Sequence, residues 1–218
     1  AEDTATQELP QRRRRWGLVA LFGLALGGLL LSAVGAIKWG AMQRMQLRQQ
    51  TQIEEQFRIA FAQGEAHYES GRYSQARDFC EAAIACALHL DRVRMLANAT
   101  ALSARIDTAE GRYEHALEGF GQALILYKSS GTTHAANPIL EMIGDLETRL
   151  GRYVDAEQHL LESLEGADRV GNPIGMAEAL RNLGTVAHET GRYELADRRF
   201  AEALEYLEDT DGENPLAR

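Results

Sequence analysis

The side chains that could carry chemistry are few and scattered. Six histidines (His67, His89, His115, His134, His159 and His188) lack the paired spacing and the cysteine partners of a structural zinc site. The two cysteines, Cys80 and Cys86, sit six residues apart on one expected helix. Six residues turn a helix through about 600° and advance it about 9 Å, which is too far for a disulfide. Both read as small buried hydrophobes. No glycine-rich loop is placed to cradle a phosphate. Acidic pairs such as Glu54-Glu55 fall on solvated helix faces. No nucleophile stands with a base, so the chain reads as a non-enzyme that needs no cofactor and no metal. What remains for it to offer is a surface.

The elements that build that surface follow a fixed rhythm. Gly-Arg-Tyr occurs four times, starting at Gly71, Gly111, Gly151 and Gly191, always 40 residues apart. A constant period of this length marks a stacked repeat architecture. Around each glycine the residue types recur. Seven residues before it stand Gly64, Ala104, Gly144 and Gly184. Five after it stand Ala76, Ala116, Ala156 and Ala196, and twelve after it Ala83, Ala123, Ser163 and Ala203. Nine after it comes a bulkier apolar residue: Cys80, Phe120, Leu160 or Phe200. Small residues at these offsets let two helices approach closely. The glycine suits the left-handed position that ends a first helix. The tyrosine fills the wedge before a second helix starts.

This pattern resembles the tetratricopeptide repeat family, in the longer 40-residue form similar to kinesin light chain and to bacterial regulatory repeat proteins; the family's usual period is about 34 residues. The resemblance covers roughly residues 53–209. It implies an all-α fold, a right-handed superhelix of four helix pairs. The expected first helix of repeat one ends near Ser70, with its partner over 74–90. The later pairs are 92–110 with 114–129, 133–150 with 154–166 and 173–190 with 194–208. Asn137-Pro138 makes the first helix of repeat three start late or kink. In the family, the first helix of each pair lines a concave groove, at 13, 10, 6 and 3 residues before the turn glycine. Those offsets name Arg58, Phe61, Glu65 and Tyr68 in repeat one, and Asn98, Ala101, Arg105 and Thr108 in repeat two. They name Pro138, Glu141, Asp145 and Thr148 in repeat three, and Glu178, Arg181, Thr185 and His188 in repeat four. Chaperone-binding relatives clamp a peptide carboxylate with Lys and Asn where this chain has Phe61 and Glu65, so that activity is not expected. A groove of mixed charge with aromatics at one end suits a peptide or helix of a partner.

The N-terminal part differs in character. The tail 1–15 ends in four arginines, Arg12 to Arg15, and residues 16–37 carry no charge. A bilayer needs about 20 apolar residues. Trp16 and Trp39 bracket the run as interface anchors would. A single transmembrane helix is therefore expected over 16–39, with a small-residue packing stripe of Gly23, Gly27, Gly28, Ser32 and Ala36. The arginines favour a cytoplasmic N-terminus with the repeats across a bacterial inner membrane, or an organellar inner membrane. A chain starting at Ala1 fits either a removed methionine or a cleaved transit peptide. A helical stalk is expected over 40–56, the repeats over 57–209 and a polar tail over 210–218, with no capping helix after the last repeat.

From residue 49 onward acidic residues outnumber basic ones 29 to 16. That balance argues against a nucleic-acid partner. The expected function is a membrane-anchored scaffold, either accessory subunit or assembly factor of a membrane protein complex. Self-association through the membrane helix or the uncapped last repeat is also open. The rival is a soluble periplasmic or lumenal adaptor or chaperone whose apolar segment is cleaved.

Overall fold

The computed structural model describes the backbone of residues 8–132 and 135–212, and the side chains of 35–132 and 135–208. Among them the secondary structure is eight α-helices: α1 (Glu8–Glu69), α2 (Tyr73–His89), α3 (Val93–Ala109), α4 (Tyr113–Ser129), α5 (Asn137–Arg149), α6 (Tyr153–Val170), α7 (Pro173–Glu189) and α8 (Tyr193–Gly212). Two units divide the chain, Ala1–Gln52 and Ile53–Arg218.

Within the second unit the breaks between helices come every 20 residues, twice as often as the tripeptide. Gly71, Asp91, Gly111, Gly131, Gly151, Gly171 and Gly191 all take positive φ, between 52° and 78°. Each makes the same double closure. At Gly111 the amide donates to the Thr108 carbonyl (3.1 Å) and the next amide, of Arg112, donates to Asp107 (2.8 Å). This Schellman arrangement satisfies the last carbonyls of the outgoing helix. The residue after the left-handed one then accepts the first bond of the next helix, as Arg112 does from Ala116 (3.0 Å). A helix ends and its successor begins with almost no loop between them. The exception is α5, which starts at Asn137 with Pro138 in its first turn and spans only 13 residues.

The offsets in the tripeptide frame are packing positions. Ala76, Ala116, Ala156 and Ala196 are at most 1% exposed. Ala83, Ala123 and Ser163 are fully buried. The small residue seven before the turn faces the bulky one nine after it. A methyl on Gly144 would stand 2.5 Å from Leu160 Cγ, and one on Gly184 2.6 Å from a Phe200 ring carbon. In repeat one the second residue is the small Cys80, and the neighbour that closes on Gly64 is Leu102 Cδ2 at 3.2 Å. The tyrosines Tyr73, Tyr113 and Tyr153 pack half-buried against these clusters, while Tyr193 of the last repeat is exposed. Two of the four arginines bridge repeats at the surface: Arg152 reaches Glu114 (2.8 Å), and Arg192 grips Glu157 with two nitrogens (3.1 and 3.0 Å).

The membrane-spanning helix is a correction. At 62 residues α1 has the length. From residue 35 on, where its side chains are described, Lys38, Arg44, Arg48 and a series of glutamines make the helix polar. Among the described residues no helix is long and apolar enough to cross a membrane. The fold is thus all-helical without a shown span, and the single-pass inner-membrane placement falls with the span. Of the expected anchoring residues, Trp16, Gly23, Gly27, Gly28 and Ser32 lie outside the described side chains. Ala36 and Trp39 are described, and both are exposed.

Candidate functional site

The first helices of the repeats, α3, α5 and α7 together with the end of α1, supply the walls of one cleft of about 510 Å³ in the second unit. Its lining includes Tyr68 of α1, Arg105 and Thr108 of α3, Glu141 and Asp145 of α5, and Arg181 of α7. Six of the sixteen groove positions named by the offsets thus share one hollow. Pro138 and Glu178, which occupy the thirteenth position before the turn in repeats three and four, line it too. The offsets used slide along the helices. They are the third before the turn in repeat one, the sixth and third in repeat two, then the thirteenth, tenth and sixth in repeat three, and the thirteenth and tenth in repeat four. The cleft runs obliquely across the helices.

The other eight stand apart from it: Ala101 is buried in the core, and Thr148 donates back to the Gly144 carbonyl (2.6 Å). Arg58 is exposed and held by Glu55 on its own helix (2.7 Å). Phe61 stacks on Phe57 (5.6 Å between ring centroids) and packs into the core of repeat one. Glu65 is half-buried and does not line the cleft. Asn98 accepts the Tyr127 hydroxyl at 2.6 Å. Thr185 donates back to the Arg181 carbonyl (3.1 Å), and His188 meets the edge of Tyr193 (5.3 Å).

Charges in the cleft fall into three groups. Asp145 and Arg149 neutralise each other at 2.8 Å, four residues apart on α5. Arg105 lays its guanidinium over the Tyr68 ring, 4.6 Å from the centroid, a cation–π contact in place of an ion pair. Glu141 and Glu178 bring two carboxyl groups from neighbouring helices within hydrogen-bonding reach of each other. Burial, more than the hydrogen bond and charge of Glu178, pushes Glu141 up to about 7, although the Ser163 hydroxyl donating at 3.0 Å and the nearby Arg181 pull the other way. Ser163 of α6 is itself fully buried, and its single hydroxyl proton has the Asn137 carbonyl (3.2 Å) as an alternative acceptor.

Phe120, Met142, Leu146, Arg149 and Asn182 complete the lining without having been singled out. Arg149 was legible as the residue one turn after Asp145 on the same face. Phe120 is a buried core residue that also lines the cleft, and no surface rule points to it.

Reactive groups do not converge here. His159 pairs with the buried Glu147 (2.8 Å), and His67 stacks on Phe79 (5.2 Å). Cys80 is buried, bonds the Ala99 carbonyl (3.0 Å) and is pushed up to about 11 by desolvation, so its thiol stays protonated. Among the described residues no group of three or more His, Cys, Asp or Glu could hold a metal ion.

Comparison with known proteins agrees with this architecture. The family model for tetratricopeptide repeats matches residues 135–209, and the model for soluble NSF attachment protein matches 41–165. No curated protein sequence matches the chain. Among solved structures, apo RapI superposes with a TM-score of 0.68 at 20% identity, over 72% of this chain and 58% of its own. Aspartyl phosphate phosphatase F from Bacillus subtilis gives 0.67 at 16%, over 78% of this chain and 45% of its own. The Rap conjugation gene regulator of plasmid pLS20, solved with the Phr* peptide, gives 0.60 at 21%, over 68% and 42%. The chain therefore spans about half the length of these structures, and at such identities the likeness is one of fold alone.

Proposed function

The chain belongs to the family that the soluble NSF attachment protein model describes over residues 41–165 and carries tetratricopeptide repeats, matched over 135–209, and from that premise we propose that it is an interaction module whose oblique cleft receives a segment of a partner protein. One observation carries the reading: Arg105, Arg181 and Glu178, which make no ion pair among the described residues, line the same hollow as Tyr68, Met142 and Pro138. A surface that only needs solubility gains nothing from gathering polar groups of both signs around apolar walls, whereas a bound segment is oriented by such an arrangement. The peptide in the pLS20 regulator complex belongs to that protein and supports the class of ligand without naming this one. Scaffolding or adaptor work follows from the same surface.

The test is co-purification of the full chain from its own cells. A partner held in the cleft is lost on Arg105→Glu and on Arg181→Glu and kept on Arg198→Glu, an exposed change on α8. Equal retention by all three variants places the interaction elsewhere.

A further inference from the structure

Resting on the cleft reading, we infer that the bound segment places a lysine or arginine side chain between Glu141 and Glu178, and that this contact is exchanged for a proton.

Two carboxyl groups within hydrogen-bonding reach cannot both stay charged without a cation or a proton between them. The groups that face Glu141 can be named from each element. From α7 come Glu178 and Arg181, and from α6 the buried Ser163 hydroxyl. On its own helix stand Asp145 and Arg149, already committed to each other at 2.8 Å. Across the cleft Arg105 of α3 lies on Tyr68. Arg181 makes no ion pair with either glutamate among the described contacts, and its influence on Glu141 is the smallest of those that act there. The free protein answers burial and the second carboxyl with a proton, since Glu141 is pushed up to about 7. A ligand cation offers the alternative, and the strongly acidic repeat region draws basic segments toward it. The Ser163 hydroxyl can donate to one Glu141 oxygen, and the ligand cation takes the place of the proton shared with Glu178.

Proton exchange sets the sign. As pH rises through about 7 the proton leaves and the pair gains a full charge, so a basic segment binds more tightly. Below that value the proton competes and binding weakens.

The experiment uses a random twelve-residue peptide library selected on the full chain at pH 8, followed by fluorescence anisotropy of the winners. The expected result is a basic residue at one fixed position among otherwise apolar ones, with affinity falling roughly five- to tenfold from pH 8 to pH 6. In the Glu141→Gln/Glu178→Gln variant, confirmed folded by its melting curve, both the basic preference and the pH dependence disappear. Winners with no basic position, or with pH dependence kept by that variant, overturn the inference; the cleft reading survives if Thr108→Trp still blocks them. Winners indifferent to Thr108→Trp, or no winners at all, overturn both.

Discussion

Replacing Gly144 with alanine tests the idea that the spacing of small residues, more than helix propensity, sets how closely the paired helices lie. An alanine methyl there would sit 2.5 Å from Leu160 Cγ and 2.7 Å from its Cδ2, where ordinary contact begins at 3.4 Å. The nearest atom is the branch carbon, so a rotation of the leucine tip does not relieve the overlap. Leu160 is fully buried, with no space to retreat into. Overpacking of this kind costs about 1–3 kcal/mol. Alanine in a helix interior recovers about 1 kcal/mol over glycine. The clash here is at the severe end, so the net expectation is a loss of about 1–2 kcal/mol. Gly64→Ala is the matched control: its methyl meets only the flexible Leu102 Cδ2 at 3.2 Å, with all other atoms at 3.6 Å or beyond. Propensity then balances or outweighs strain, and stability stays level or rises slightly. Urea unfolding followed by far-UV circular dichroism gives the difference between the two variants, and hydrogen exchange locates it in α5 and α6, as expected where stability is summed over neighbouring repeats. Equal midpoints for Gly144→Ala and Gly64→Ala would refute the packing argument.

Two further outcomes follow from single residues. Asp91 is the one described non-glycine residue at positive φ, 52°, in a turn where Gly131 and Gly171 occupy the matching places; Asp91→Gly removes left-handed strain of about 1 kcal/mol against a smaller entropic loss, and a melting point raised by about 1–3 °C checks it. Glu141 holds its proton in the folded chain between 4.5 and about 7, where the unfolded chain has released it, so folding stability falls as pH rises through that window. Because the side chain is only partly buried, solvent screening reduces the effect to about 1 kcal/mol. Glu141→Gln lacks this loss, and the gap between variant and parent widens from pH 4.5 to pH 8; a gap that stays constant shows that burial of Glu141 has no energetic consequence.

Much of the architecture could be read from residue types because steric demands are local. A left-handed helix terminus wants glycine, and a close helix crossing wants Ala or Gly, so both leave marks at fixed offsets. The second turn of each repeat lacks a shared tripeptide for the same reason. The turns at Asp91, Gly131 and Gly171 use the same hydrogen bonds as the tripeptide turns, but their following residues, Arg92, Thr132 and Asn172, differ. Only the backbone closure is shared, and it does not dictate the next side chain. Composition misled at the N-terminus, where a charge-free run suggested a span that the described part of α1 does not supply. At the cleft, half of the offset positions line the hollow. They did not tell Thr108, which lines the hollow, from Thr185, which does not.

That last distinction comes from geometry between repeats. Each helix pair is nearly the same brick, but neighbouring first helices cross at an angle set by their packing ridges. A hollow crossing several of them must therefore step along each in turn. It uses Tyr68 at the C-terminal end of the first helix of repeat one, Arg105 and Thr108 one repeat later, Glu141 and Asp145 mid-helix, and Glu178 near the start of α7. Identical bricks thus give a cleft in which each repeat contributes a different offset. The residues at one offset are under no common demand, which is why aromatic, cationic and acidic side chains alternate along a frame whose buried positions hardly vary. It also explains why Arg58, at one end of the offset series, and His188, at the other, carry the pattern of groove residues yet lie outside the cleft. A segment bound along the cleft reads Tyr68, Arg105, Glu141 and Glu178 in that order, so reversing its sequence exchanges the cationic and acidic ends against which its own charges must be matched.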